Sequence, residues 1–196
     1  MDTRERIVNA AADLMGRHGY TGTGLKQIAA ESGAPFGSIY HFFPDGKTEL
    51  TAAALRWSGE GYQLLVEGVI DGEADLLDGL RACFEGAAEV LIASDYADAC
   101  PIETVALEVA STDETLRLVT AEIFANWIES AASRFEAAGL DHDEARHLGI
   151  AFISALEGAF VLSRALKSPE PMYAAGRPVV DAIEAALARA DRRGPS

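Results

Sequence analysis

The sequence predicts an all-α protein of about nine helices, in which a small three-helix head precedes a larger helical body. Apolar residues recur at helical spacing along nearly the whole chain, and no stretch alternates in the manner of a half-buried strand. The composition, 49% hydrophobic and rich in Ala, Leu and Glu, suits packed helices rather than a disordered chain. A length of 196 residues allows one large helical unit or a head joined to a body, and is too short for several independent domains.

The elements follow in order. Over 3–18, Ile7, Ala11, Leu14 and Met15 share a helical face, and Gly19 stands where a left-handed cap is expected. After Gly22-Thr23-Gly24, a two-turn helix is expected over 25–32, ended by Gly33. Pro35 suits the first position of the next short helix, which runs over 36–42 until Phe43-Pro44-Asp45-Gly46 stops it. Beyond it lie longer helices over 47–70, 74–93, 101–110, 113–138, 142–167 and 174–192, parted by Gly, Pro or Asp-rich punctuation. The tail 192–196 reads as frayed. This assigns residues 1–46 to the head and 47–196 to the body.

Within the head, one spacing carries chemistry. Two short helices that meet near a right angle need a small residue at the crossing. They also need a left-handed turn residue and an apolar residue facing back from the second helix. Ala29, Gly33 and Ile39 supply these, and Leu25 and Ile28 fill the corner. The outer face of 35–41 is then free to enter a DNA major groove as the second helix of a helix-turn-helix. A plain helical hairpin meets the same requirements, so the spacing alone leaves both readings open.

The net charge of −15 opposes nucleic-acid binding, because affinity for DNA draws on cations that displace phosphate counterions. The acid is unevenly placed. Residues 1–50 hold five Lys/Arg (Arg4, Arg6, Arg17, Lys26, Lys47) against six Asp/Glu, whereas residues 51–196 hold eleven against twenty-five. Fields decay over roughly 8 Å at physiological salt, so an acidic body leaves phosphate contacts at the head largely intact.

Over Arg6 to Leu50, the runs Ile28-Ala29, Gly33, Gly37-Ser38-Ile39-Tyr40-His41-Phe42 and Lys47-Thr48-Glu49-Leu50 resemble the DNA-binding head of the TetR/AcrR family of repressors. The remaining six helices are similar in length and layout to that family's ligand-binding and dimerising body. Gly22-Thr23-Gly24-Leu25, Pro44-Asp45-Gly46-Lys47 and the run Cys100-Pro101-Ile102-Glu103-Thr104-Val105-Ala106-Leu107-Glu108 look like the LmrA/YxaF-type subgroup. The resemblance associates that subgroup with multidrug or flavonoid-type effectors.

The resemblance implies a ligand-responsive repressor that binds a near-palindromic double-stranded operator as a homodimer and is released by a small, apolar or aromatic effector. Tyr40, His41 and Lys47 are expected to bond to phosphates, with Lys26 as a further phosphate contact, while Pro35, Phe36, Gly37 and Ser38 face base edges. Pro35 stands where a Ser or Thr cap is commoner, and Phe36 where a polar reader is commoner. Hydrogen-bond readout is therefore thin, and DNA shape carries more of the specificity. Phe42 and Phe43 read as head core.

In the body, a switch needs a mostly apolar cavity with a few polar groups. Tyr62, Phe84, Ala88, Leu91, Thr104, Leu107, Phe124 and Trp127 are the candidates for lining it, with Cys100 at a helix start nearby. Glu103, Glu108 and Glu157 are candidates for an effector's polar parts. In the eighth helix, Ala151, Ala155 and Ala159, and Ser154 with Gly158, allow close approach of a second helix. With the ninth helix, bearing Val179, Val180, Ile183 and Leu187, it is expected to form the dimer interface.

Other classes are disfavoured. His142 and His147 are five apart rather than at a helical metal-pair spacing, and no Gly-rich phosphate loop, nucleophile elbow or paired Cys ligands occur. Neither catalysis nor a cofactor nor a metal is expected. Cys83 and Cys100 lack CxxC spacing and suit a reducing cytoplasm, and no apolar run approaches the roughly 20 residues that span a bilayer, so no membrane partner is expected. The alternatives kept are an activator without effector-controlled DNA release and a helical protein-interaction module.

Overall fold

A computed structural model describes residues 1–193. Among them it contains α1 (Thr3–Gly22), α2 (Leu25–Ser32), α3 (Phe36–Phe42), α4 (Lys47–Gly72), α5 (Leu76–Ala93), α6 (Pro101–Val109), α7 (Glu114–Ala137), α8 (His142–Leu166) and α9 (Glu170–Arg193), with no strand. The starts are built by local chemistry. Asp2 accepts from the Glu5 amide at 2.8 Å while the Glu5 carboxylate accepts from the Asp2 amide at 2.6 Å, a reciprocal capping box. Asp75 and Asp141 cap α5 and α8 by their side chains alone, without the reciprocal bond, and Pro101 occupies the first turn of α6, where no amide partner is needed.

Most boundaries fall within two residues of the sequence expectation, and the larger differences are at α1, which runs to Gly22 rather than 18, and at α9. α9 begins at Glu170 rather than 174, because the amide that Pro171 lacks lies in a first turn that leaves amides unpaired anyway. It continues to Arg193, so Arg192 and Arg193 of the expected frayed tail are helical, and Gly194 to Ser196 lie outside the described residues.

By packing, the described residues form two compact units, 1–62 with 99–124 and 63–98 with 125–193, so the division falls within α4 and within α7. The expected boundary at 46/47 does not coincide with this division by packing. In the first unit α1 packs against both α2 and α6, and α2 against α3. Its buried residues include Ile7, Met15, Ile28, Ile39, Phe43, Leu50, Ile102, Val105 and Leu116.

The second unit centres on a core of Leu80, Phe84, Leu91, Phe135, Phe152, Met172, Val180 and Ile183, drawn from α5, α7, α8 and α9. Phe84 meets Phe152 edge to face, with ring centres 5.6 Å apart. By length and composition α8 would pass as a membrane-crossing helix, with a mean hydropathy of 1.5 over 18 residues, an exception to the expectation from the sequence. The reason is that α8 is apolar on two faces: Phe152, Leu156 and Ala159 fill the core, while Ile150, Val161, Leu162 and Leu166 are exposed.

Candidate nucleic-acid interface

The corner between α2 and α3 is closed by Gly33, whose left-handed backbone (φ 62°, ψ 23°) suits a residue without a side chain. Its N–H donates to the Ala30 carbonyl at 3.2 Å and that of Ala34 to the Ala29 carbonyl at 3.1 Å, so α2 ends in paired carbonyls. Ile28, Ala29 and Ile39 are buried and Leu25 is half-buried, as the spacing requires.

Pro35 stands one position before α3 rather than at its first residue, with ψ at 137°. The Ser38 N–H closes the first turn onto the Pro35 carbonyl at 2.8 Å, and no side chain caps the helix.

The face that results is exposed and aromatic. Pro35, Phe36, Gly37, Tyr40 and His41 are exposed, Ser38 is half-buried, and Lys26 is exposed on α2. Phe36 and Tyr40 pack edge to face at 5.7 Å, and His41 lies against Phe42 at 4.9 Å. Phe43 belongs to the core, beneath the Arg4 guanidinium at 5.3 Å, whereas Phe42 is half-buried. Arg6 is engaged inside the head, donating from Nε to the Ser32 carbonyl at 3.2 Å.

Lys47 is placed differently from the other expected phosphate contacts. It is half-buried, its Nζ donates to the Tyr20 carbonyl at 2.6 Å, and it sits 4.2 Å from the centre of the Tyr20 ring. Burial pushes its pKa down, and the Glu108 charge pulls it partly back.

The cause lies at the end of α1, where Gly19 leaves the helical region (φ 74°, ψ 177°) and residues 20–22 start a fresh turn. The turn's opening amides have no helical partner, and Glu108 of α6 takes both. Its Oε1 accepts from the Tyr20 N–H and its Oε2 from the Thr21 N–H, each at 2.8 Å. The Thr23 hydroxyl returns to the Gly19 carbonyl at 2.8 Å, and the Tyr20 hydroxyl lies 3.4 Å from that of Thr48. Burial raises the Glu108 pKa, but bonds from Thr21 and Tyr20 and the Lys47 charge outweigh it and hold the carboxyl below its usual range. Glu108 is thus committed to the head rather than presented to an effector, a role that sequence reasoning missed.

The residues expected to line an effector cavity do not fall together in one unit. Phe84, Ala88, Leu91 and Trp127 are buried in the second unit. Tyr62, Cys100, Thr104, Leu107 and Phe124 belong to the first. The Thr104 hydroxyl donates to the Cys100 carbonyl at 3.0 Å.

Leu107 is 75% exposed, contrary to expectation, because α6 turns Ile102, Val105 and Val109 inward and leaves Leu107 on the opposite side. A surface hollow of about 550 Å³ at the start of α9, bounded by Ser168, Glu170, Tyr173 and Arg177, involves none of these residues.

On α8, Ala151, Ala155 and Ala159 face the unit's own core. Ile150, Ser154, Gly158, Leu162 and Leu166, four apart, form an exposed stripe. Val179, Val180 and Ile183 of α9, expected at a dimer interface, are buried within their own unit, with Leu187 packed beside them. The sequence shows α9 has an apolar face, but that face is already covered by α5 and α8.

Residues 7–54 match the family model for bacterial regulatory proteins of the tetR family, and residues 77–178 match the model for the C-terminal domain of LmrA/YxaF-like transcriptional regulators. The chain is 34% identical over 171 residues to the HTH-type transcriptional regulator YxaF of Bacillus subtilis, a match that covers 87% of this chain and 90% of the relative. Its fold is shared by the regulatory protein TetR from Rhodobacter sphaeroides, with a TM-score of 0.81 at 22% identity over 90% of this chain and 96% of that one. It is also shared by the regulator CifR solved with a 26-base-pair double-stranded operator DNA, with a TM-score of 0.77 at 17% identity over 91% and 95% of the two chains.

Proposed function

The chain belongs to the TetR family of bacterial transcriptional regulators, which are not enzymes, and on that premise we propose that it is a ligand-responsive repressor. As a homodimer it holds a near-palindromic operator in the cytoplasm and lets go when a small apolar or aromatic effector occupies the body. The observation that carries this reading is the exposed row Pro35, Phe36, Gly37, Tyr40 and His41 on a short helix whose inner residue Ile39 is locked into the head.

In this reading Tyr40, His41 and Lys26 bond to phosphates and set the register, while Pro35, Phe36, Gly37 and Ser38 face base edges. Phe36 meets a thymine methyl, and Lys47 keeps the Tyr20 carbonyl while offering a second ammonium proton to a phosphate. Two heads on successive major grooves stand about 34–36 Å apart, which requires a dimer. The exposed stripe Ile150, Ser154, Gly158, Leu162 and Leu166 on α8 supports that dimer, since small residues along it allow a second helix to approach closely. Within the second unit, Phe84, Ala88, Leu91 and Trp127 remain the effector candidates named from the sequence.

Fluorescence anisotropy against DNA from upstream of the protein's own gene, with a scrambled duplex as control, tests the reading. Tight, salt-sensitive binding with preference over the scramble is expected, together with loss of that preference in Tyr40→Ala at unchanged dimer mass. Equal, weak binding to every duplex offered, including those from a genome-wide operator selection, would overturn it.

A further inference from the structure

Resting on the DNA-binding reading above, we propose that Glu108 is a positioning residue for operator binding. From α6 it closes the turn that ends α1, and through the Tyr20 carbonyl it sets where Lys47 and the start of α4 stand. Three independent features point to a built contact.

The first is its span and form. The two bonds join residues 88 and 87 positions apart, and each carboxylate oxygen takes one amide, so side chain and turn are fixed in two directions. The second is the accommodation made for it. Gly19 adopts a conformation that residues with a side chain rarely take, and a Cβ there would lie 1.8 Å from Glu108 Oε1, so both the fold and the carboxylate require a glycine. The third is what hangs from the turn: the Tyr20 carbonyl receives the Lys47 ammonium at 2.6 Å, and the Tyr20 hydroxyl reaches Thr48 on the next residue of α4 at 3.4 Å. In the DNA-binding reading Glu108 is not itself a DNA contact. It acts by holding a turn that holds Lys47.

Apart from the Lys47 ammonium on its carbonyl, the turn is held by weaker contacts. The Thr23 N–H bonds to the Tyr20 carbonyl at 3.3 Å, a long contact, and the Thr23 hydroxyl bonds to the Gly19 carbonyl. Without the carboxylate, the Tyr20 and Thr21 amides turn to water, the turn gains freedom, and the Lys47 acceptor moves with it. A loosened α4 start costs operator affinity through geometry, although removing a negative charge near the head would by itself favour DNA. The two effects have opposite signs, and this separates positioning from simple electrostatics.

The experiment uses the full-length dimer of wild type, Glu108→Ala and Glu108→Gln, each verified as folded by circular dichroism at the assay temperature. In the first arm, operator and scrambled duplex are compared by anisotropy. Glu108→Ala is expected to lose about tenfold of the preference for operator over scramble, with affinity for the scramble unchanged or slightly raised. Glu108→Gln, which keeps one acceptor oxygen, falls between.

The second arm needs no operator. The chain has three lysines, Lys26, Lys47 and Lys167, of which Lys26 and Lys167 are exposed, so amine acylation read by mass spectrometry has internal references. Measured relative to Lys26, Lys47 is expected to be several-fold more reactive in Glu108→Ala than in Glu108→Gln, which removes the same charge but keeps one acceptor oxygen. A folded Glu108→Ala with wild-type operator preference, or with a Lys47 no more reactive than that of Glu108→Gln, would overturn the proposal. Wild-type protein that prefers no duplex while Lys47 responds to Glu108→Ala would instead sink the operator reading and leave the clamp standing.

Discussion

A methyl group at Gly19 probes the end of α1 directly. Gly19→Ala forces a side chain into φ 74°, ψ 177°, a region essentially restricted to glycine, at a cost of about 1–3 kcal/mol. The new Cβ would stand 1.8 Å from Glu108 Oε1. The carboxylate sits at the end of a flexible side chain and can swing away, but only by giving up the Tyr20 and Thr21 amides. Discounted for partial exposure, that loss adds about 1–2 kcal/mol. The sum, about 3 kcal/mol, lowers the melting temperature by about 6–12 °C in a chain of this length.

Urea denaturation of Gly19→Ala, Glu108→Ala and the double variant checks both parts. The clash exists only while Glu108 is present, so the double variant is expected to be more stable than the sum of the single effects implies, by about 1 kcal/mol or more. Additive effects would remove the clash from the account, and a Gly19→Ala cost below about 1 kcal/mol would refute the backbone part as well.

Two other outcomes are expected. Phe135→Ala empties a fully buried position in the second unit and should cost about 3–5 kcal/mol, seen as a lower urea midpoint. Burial pushes the Cys83 thiol up to about 12 from an ordinary 9.0, with the Arg134 charge opposing the shift, so it should resist thiol reagents at pH 8 until urea unfolds the chain. Because its folded pKa lies above its unfolded one, the stability it contributes is present below about pH 9 and lost as pH rises toward 12. Denaturation at pH 10 should therefore be less severe, relative to pH 7, in Cys83→Ala than in wild type.

The helices were legible because their signals are local. Apolar spacing, Asp caps and Gly or Pro stops act within a few residues of one another, and the α2–α3 corner depends on Ala29, Gly33 and Ile39, all within eleven positions. The exposed face of α3 follows from the same corner, since burying Ile39 turns Phe36 and Tyr40 outward.

What remained hidden depended on packing between distant residues. Val180 and Ile183 look like an unpartnered apolar face until α5 and α8 are seen to cover them. Leu107 looks like a cavity residue until the inward face of α6 is known. Gly19 announces the end of a helix, but nothing near it names the carboxylate that its kink admits. Local periodicity encodes where helices form and which face is apolar. Which distant side chain meets that face, or takes the Lys47 ammonium away from solvent, is decided only when the chain closes on itself, because one side chain pattern is compatible with many partners and the tertiary contact selects one.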